Sequence, residues 1–164
     1  MPDDASRGRL ANIVTSLLHS IGVTVVGFGV AFLGVALDSL LHLPEFKSPL
    51  AVGAGLLLLA IGFLLRVWAT YLFYERNMKV ISLVPQKRLI TTGPYRFSRN
   101  PLYLGGNVFI FFGAATILGS TAGLVLTAAH LPLMDLFIRR EEKQLEHDFG
   151  EEWLRYRNSV RRWL

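Results

Sequence analysis

Residues 100–134, NPLYLGGNVFIFFGAATILGSTAGLVLTAAHLPLM, form a stretch of 35 residues without Asp, Glu, Lys or Arg. As one helix, at about 1.5 Å per residue, it would measure about 52 Å, whereas the hydrocarbon core of a bilayer is about 30 Å thick. The turn-forming residues 119–123, GSTAG, divide the stretch into two parts. We therefore predict a helical hairpin that crosses a membrane twice, with spans at about 101–118 and 122–139.

Two earlier stretches are also free of charged residues. Residues 10–37 and 48–65 comprise 28 and 18 uncharged residues, and a spanning helix needs about 20. The hydrophobic content of 52% and the mean hydropathy of +0.42 exceed those of a typical soluble domain. We predict further spans at about 12–40 and 49–73. The fold class expected for residues 1–164 is thus a single all-α, polytopic membrane domain with four transmembrane helices.

The cationic residues predict an orientation for these spans. Two Lys or Arg residues precede the first span, seven lie in residues 66–99, seven follow from Arg139 onward, and Lys47 alone falls on the opposite side. The positive-inside rule then places both termini, the loop 75–100 and the tail 140–164 in the cytosol. A three-span arrangement would export seven cations. We expect an integral protein of the bacterial inner membrane.

Several other site classes are disfavoured by composition. The net charge of +5 and pI near 9.9 suit anionic headgroups as well as nucleic acid, and no nucleic-acid recognition motif is present. The chain has no cysteine, and its four histidines are scattered, so we expect no metal site. The stretch GFGVAFLG, residues 27–34, lacks the spacing and preceding strand of a dinucleotide fingerprint, and its glycines favour helix packing.

The residue pattern of the tail 140–164 predicts a charged helix, a break at Gly150 and a second, amphipathic helix. Apolar residues recur there at spacings of three and four, which indicates one apolar face. A helix of this kind packs on the bilayer surface or on another part of the protein. The residues of this face are Leu145, Phe149, Trp153, Tyr156 and Val160.

The polar segment TTGPYRFSRNPLYLGG, residues 91–106, precedes the hairpin. Gly93 and Pro94 predict a turn, and Pro101 is suited to the first position of a helix. Arginines at a membrane surface explain the positive charge of the segment. This explanation assigns no role to three polar side chains: Tyr95, Asn100 and Tyr103.

A second group of charges, RREE at residues 139–142, follows the hairpin. Two carboxylates at the mouth of a membrane span need partners, which the arginines of the segment 91–106 can supply. His130 and Asp135, on the same helix, are candidates for a polar cavity, and Pro132 between them is expected to kink the helix. His19, on the first span, is expected to be a packed or interfacial histidine.

TTGPYRFSRNPLYLGG, followed about 35 residues later by REEKQLEHDFGEEWLRYRNSVRRW, resembles the paired signature of the isoprenylcysteine carboxyl methyltransferase and phospholipid methyltransferase superfamily. The resemblance covers residues 85–163. It implies a multi-span helical enzyme that binds S-adenosylmethionine without a Rossmann domain. The methyl acceptor would be a lipophilic molecule from the bilayer, with a prenylcysteine-like carboxylate or a phospholipid or amine headgroup. Three residues depart from the common pattern: Asn100 replaces histidine, Trp153 replaces tyrosine, and Trp163 replaces proline.

The resemblance also implies a set of site residues. Glu142 is our candidate general base for acceptors that need one. An acidic residue would accept from the amino group of the cofactor, a donor would hold its carboxylate, and aromatic faces would border the sulfonium and adenine. The implied cofactor-binding residues are Lys87, Arg88, Leu89, Ile90, Tyr95, Asn100, Pro101, Leu102, Tyr103, Glu141 and Glu142. Arg99 joins this set because Arg99 or Asn100 could supply the donor for the cofactor carboxylate.

Two other functions remain open from the sequence. An NADPH-dependent sterol-type membrane reductase shares a similar NPxY-like loop and a Glu-rich tail containing Phe-Gly. A non-catalytic membrane protein could use the basic loop to bind anionic headgroups. Membrane lipids or lipophilic small molecules are the expected partners in each case, nucleic acid is not, and the sequence does not define the oligomeric state.

Overall fold

The computed structural model describes residues 2–78, 80 and 87–164, with side chains described from residue 7 onward. Helix α1 spans Pro2–Leu41 and α2 spans Pro49–Glu75. A short 3₁₀ helix, Gly93–Arg96, precedes α3, which spans Pro101–Leu118. Helix α4 spans Thr121–Phe149 and α5 spans Glu151–Ser159. Residues 79 and 81–86 of the predicted loop 75–100 lie outside the described part of the chain.

Helices α1 to α4 are long and apolar enough to cross a membrane. Their outward faces expose large apolar side chains, such as Leu18 at 64% and Leu57 at 62%. Such continuous apolar surface is typical of lipid-facing helices. The structure therefore confirms the predicted all-α, four-span fold class. Helices α1 and α4 extend beyond the predicted spans, and the positions of the membrane boundaries stay a prediction.

The predicted hairpin is formed by a tight turn between α3 and α4. Gly119 ends α3 with a φ of +64°, a conformation that glycine adopts without steric cost. Ser120 caps α4 by accepting a hydrogen bond from Gly123 N at 2.9 Å. The buried Asp38 of α1 accepts from Ser120 Oγ at 2.6 Å and from Ala122 N at 2.7 Å. These contacts hold the start of α4 against the end of α1.

Close packing of backbones joins the spans. A Cβ atom built on Gly62 of α2 would lie 2.6 Å from the carbonyl oxygen of Gly105 in α3. A Cβ atom on Gly34 of α1 would lie 2.4 Å from Gly123 in α4. Small residues of this kind let membrane helices approach closely. The glycine pairs therefore set the spacing of the bundle.

Helix α3 is irregular in its first half. After a single α-helical turn at Pro101–Tyr103, residues Leu104–Ile110 form a π-helix, and α-helical structure resumes at Phe111. The π-helix was not predicted from the sequence. Such widened turns are frequent at functional sites, and this one includes Asn107, whose side chain belongs to the cavity described below.

The tail packs on the polar loop. Gly150 separates α4 from α5 with a φ of +50°, at the position predicted for the break. Trp153 is 1% exposed. It belongs to an apolar cluster that also contains Tyr156 of α5, Ile90 and Tyr95 of the loop, and residues near the end of α2. The apolar face of the tail thus contacts the loop. This packing brings residues 141–162 next to residues 88–103.

Candidate functional site

The two polar segments meet in a buried ionic cluster. Arg99 Nε and Nη2 each donate to Glu142 Oε1 at 3.1 Å. Arg162, near the end of the chain, donates from Nη2 to Glu142 Oε2 at 2.6 Å. The side chains of Arg99 and Glu142 are only 9% and 10% exposed. The hydrogen bond with Glu142 raises the pKa of Arg162 above its ordinary value, against the opposing effect of burial, so Arg162 is charged.

The loop also binds the backbone of the tail. Arg99 Nη1 donates to two carbonyl oxygens, those of Arg157 at 2.8 Å and Val160 at 2.7 Å. The guanidinium of Arg99 is therefore directed at Glu142 and at the end of α5. Three more bonds join the same segments: Arg99 N to Arg161 O at 2.9 Å, Ser98 Oγ to Arg162 O at 3.1 Å and Asn100 Nδ2 to Arg162 O at 3.3 Å.

A cavity of about 320 Å³ lies beside this cluster. The volume falls in the lower part of the range of ligand pockets, about 300–1,000 Å³. The cavity is lined by eleven of the twelve cofactor-binding residues implied by the sequence, whereas Lys87 is exposed and does not line it. The eleven are Arg88, Leu89, Ile90, Tyr95, Arg99, Asn100, Pro101, Leu102, Tyr103, Glu141 and Glu142.

Other lining residues were not assigned to the site from the sequence. His19, which was expected to be a packed or interfacial histidine, also lines the cavity. Its Nδ1 atom lies 3.4 Å from Tyr74 Oη. Arg66 and Asn107 come from the membrane spans. Trp153 and Tyr156 were identified only as parts of an apolar face. The further lining residues are Phe73, Val80, Gln144, Leu145 and Asp148.

The two residues expected in a polar cavity on α4 have other contacts. His130 Nε2 is 3.1 Å from Asn107 Nδ2, and the imidazole stacks on Phe111. Asp135 accepts from Arg139 Nε at 2.6 Å and lies 3.5 Å from Arg162 Nη1. Neither residue lines the cavity. Both connect neighbouring elements instead.

The two buried tyrosines of the site stay protonated at neutral pH. Burial raises the pKa of Tyr95 well above its ordinary value, and burial also raises the pKa of Tyr156. Tyr156 Oη donates to the carbonyl oxygen of Tyr95 at 2.8 Å. Tyr95 therefore presents a hydroxyl group, not a phenolate, to its surroundings.

Three buried polar atoms of cavity-lining residues have no hydrogen-bond partner among the described residues: Tyr95 Oη, Trp153 Nε1 and Arg66 Nε. Buried polar groups in proteins are nearly always satisfied. Glu141 is half-buried in the same wall, and the described residues include no ion pair or hydrogen bond to its carboxylate. A polar ligand with both donor and acceptor groups would satisfy these positions.

Glu142 has a different environment from Glu141. Both oxygens of Glu142 accept hydrogen bonds from Arg99 or Arg162. Glu142 thus joins loop and tail. Arg99 is one of the loop arginines that the sequence predicted as partners, whereas Arg162 was not predicted. Its general-base role stays a prediction. Within residues 2–78, 80 and 87–164, no three His, Asp or Glu side chains are grouped to hold a metal ion.

Comparison with protein families gives a match over much of the chain. The family model described as phospholipid methyltransferase matches residues 50–152, which is more than half of the chain and includes α2, the polar loop, α3 and α4. The searches of curated proteins and of solved structures found no match. The family match confirms the resemblance carried by the two polar segments. The chain therefore belongs to the phospholipid methyltransferase family, whose members are membrane methyltransferases.

Proposed function

We propose that the protein is an S-adenosylmethionine-dependent enzyme that methylates a lipophilic acceptor at the membrane surface. The observation that carries this proposal is the cavity between loop and tail, where buried polar atoms of Tyr95 and Trp153 have no partner among the residues that the structure describes. Family membership favours methyl transfer over the reductase and the non-catalytic alternatives.

The residues of the cavity fit the chemical groups of S-adenosylmethionine. Glu141 would accept from the amino group, since no described residue occupies its carboxylate. The Tyr95 hydroxyl and the Asn100 amide would bind the carboxylate as donors. The ring of Trp153 offers an aromatic face for the cationic or adenine part. When bound, this cofactor supplies an electrophilic methyl group attached to a sulfonium.

The protein itself would contribute alignment and exclusion of water. Arg99, Glu142 and Arg162 fix the tail on the loop and so close one side of the cavity. Holding two reactants in an in-line geometry can contribute about 7–11 kcal/mol to the barrier reduction in well-oriented systems. A carboxylate acceptor needs no base, whereas an ammonium or alcohol acceptor does.

The orientation of the enzyme follows from its charges. The loop and the tail, which form the site, contain most of the Lys and Arg residues. Under the positive-inside rule this end of the bundle faces the cytosol, where S-adenosylmethionine is available. We propose an inner-membrane location in a bacterium, with both termini cytosolic and with membrane lipids as the source of the acceptor.

The experiment is calorimetric titration of the detergent-purified protein with S-adenosylhomocysteine and, separately, with NADPH. We expect binding of S-adenosylhomocysteine alone. Tyr95→Phe should weaken it about fivefold, the effect of one hydrogen bond of about 1 kcal/mol. Tyr71→Phe is the matched control, because Tyr71 does not line the cavity and should bind as the wild type does. Binding of NADPH alone would favour the reductase, and binding of neither would favour the non-catalytic protein.

A further inference from the structure

Arg66 is a buried arginine within the membrane-spanning helix α2, in the half nearer the polar loop. It is 8% exposed, and its Nη1 atom donates to the carbonyl oxygen of Leu102 at 2.8 Å. Its Nε atom has no hydrogen-bond partner among the described residues. Within that part of the chain, no carboxylate forms an ion pair with its guanidinium. One backbone carbonyl is a weak counterpart for a full positive charge.

Buried charges in proteins are normally paired, because removing an ion from water is costly. Ionisable groups within membrane spans therefore indicate functional sites. The fold also leaves room for this side chain, since a Cβ atom on Gly106 would lie 2.8 Å from Arg66 Nη1. Because Arg66 lines the cavity, a ligand in the cavity can supply the missing negative charge.

The position of Arg66 is deep in the bundle. It lies nine residues before the end of α2 at Glu75, which corresponds to about 14 Å along the helix. His19 of α1 and Asn107 of the π-helix line the same cavity. The side chains proposed above to bind the charged groups of the cofactor belong by contrast to the loop and the tail: Tyr95, Asn100 and Glu141. The cavity thus has a wall made by the membrane spans as well as a wall made by the loop and tail.

A second, largely apolar hollow lies between α1 and α2. It is lined by side chains of α1 and α2, among them Phe28, Phe32 and Phe63. Phe63 precedes Arg66 by one helical turn on the side away from the loop. A molecule with an anionic group at Arg66 could therefore place an apolar chain in this hollow.

We infer that Arg66 binds the anionic group of the methyl acceptor, a phosphate or carboxylate attached to an apolar chain. The inference rests on the proposed function, and it assigns the cofactor and the acceptor to different walls of one cavity. A guanidinium can bind either oxyanion through two parallel hydrogen bonds. The competing source of the anion is the carboxylate of the cofactor. The depth of Arg66 and the apolar hollow at Phe63, one helical turn away on α2, favour the lipid.

The test measures binding of two short-chain lipids to the full-length protein in detergent by calorimetry. Dihexanoyl phosphatidic acid contains the phosphate without a cationic headgroup, and dihexanoylglycerol has the same chains without the phosphate. We expect the wild type to bind the phosphate-containing lipid at least tenfold more tightly. Arg66→Gln should abolish this preference, and Arg66→Lys should retain part of it, because lysine keeps the charge but not the planar donor pair. The affinity for S-adenosylhomocysteine should change less than about threefold in both variants, which also shows that they are folded.

Arg96→Gln is the matched control. Arg96 is an exposed arginine of the loop that does not line the cavity, so its removal lowers the surface charge equally and should leave the lipid preference unchanged. A tenfold preference that survives in Arg66→Gln would overturn the inference. So would a loss of S-adenosylhomocysteine affinity with the lipid preference intact, which would identify the cofactor carboxylate as the anion. A failure of the proposed function would give a different result: the wild type would bind the lipid through Arg66 but would not bind S-adenosylhomocysteine.

Discussion

Replacing Glu142 by glutamine should release the tail from the loop. The substitution keeps the size of the side chain but removes the charge that Arg99 and Arg162 share. The side chains of Arg99 and Glu142 are about nine-tenths buried. Removing one partner of a buried ion pair costs about 3–5 kcal/mol, because the other charge is left uncompensated. Since glutamine can still accept one hydrogen bond, we expect the packing of the tail on the loop to be destabilised by about 3 kcal/mol, the lower end of this range.

This cost should appear as local opening of α5. A change of about 3 kcal/mol corresponds to a roughly 100-fold increase in the population of the open state. Hydrogen exchange of the α5 amides, followed by mass spectrometry in detergent, reports this population. We expect roughly 100-fold lower protection in α5 and little change in the amides of α2, which does not depend on the tail for its hydrogen bonds.

Glu146→Gln is the matched control on the same helix. Glu146 also pairs with an arginine of the tail, Arg157, at 3.3 Å, but both side chains are nearly half exposed. Exposed pairs of this kind contribute about 0–1 kcal/mol, so the protection of α5 should fall no more than about fivefold. Equal effects of the Glu142 and Glu146 substitutions would refute the assignment of Glu142 as the main link between loop and tail.

Three further predictions concern stability. Gly62→Ala should lower the thermal unfolding midpoint markedly, because the added Cβ atom would lie 2.6 Å from a carbonyl oxygen of α3. Gly53→Ala, whose Cβ atom would have no atom within 4 Å, should leave the midpoint unchanged or raise it. Equal effects of the two substitutions would contradict the close packing of α2 and α3. Asp38→Asn should destabilise the protein by about 1–3 kcal/mol in denaturant unfolding, because the buried carboxylate accepts from Ser120 and from the first turn of α4. Burial raises the pKa of Tyr95 in the folded state, so the free energy of unfolding should be independent of this group below about pH 10 and should fall as the unfolded tyrosine ionises above that pH. The decrease in stability between pH 8 and 10.5 should be smaller in Tyr95→Phe than in the wild type. An equal decrease in both proteins would contradict the burial of this hydroxyl.

The four-span fold could be predicted from local properties of the sequence. The length of the uncharged stretch 100–134 excluded one straight helix, and the residues at 119–123 marked the turn. Both arguments depend on bilayer thickness and turn chemistry, which are independent of distant contacts. The structure accordingly places the turn at Gly119 and Ser120.

The site was predictable only in part. The residues of the loop and tail were implied by the resemblance or, for Arg99, by the chemistry of the cofactor, and eleven of them line the cavity. Arg66 and His19 were missed because each is a single polar residue in or beside an apolar span, a pattern that snorkelling or packing also explains. Their place in the cavity depends on how α1 and α2 pack against α3, which is a property of distant segments. The one available signal was the charge of Arg66 nine residues before the end of α2.

The pairing of Glu142 with Arg162 was also missed. The sequence indicated that the carboxylates at 141–142 needed cations, and the arginines of the segment 91–106 were the expected partners. Arg99 is one such partner, but the shortest hydrogen bond to Glu142 comes from Arg162 of the tail itself. The break at Gly150 turns the chain back and makes this contact possible, and no local pattern in the sequence specifies the angle of that turn.

The central claim is that one cofactor contacts both the loop and the tail. Ultraviolet crosslinking of the purified protein with methyl-tritiated S-adenosylmethionine, followed by peptide mapping, tests it most directly. We predict label in peptides from residues 88–103 and from residues 141–156, and loss of both labels when S-adenosylhomocysteine is added in excess. Label that S-adenosylhomocysteine does not displace, or specific label confined to the opposite end of the bundle around residues 42–48 and 119–121, would contradict the account.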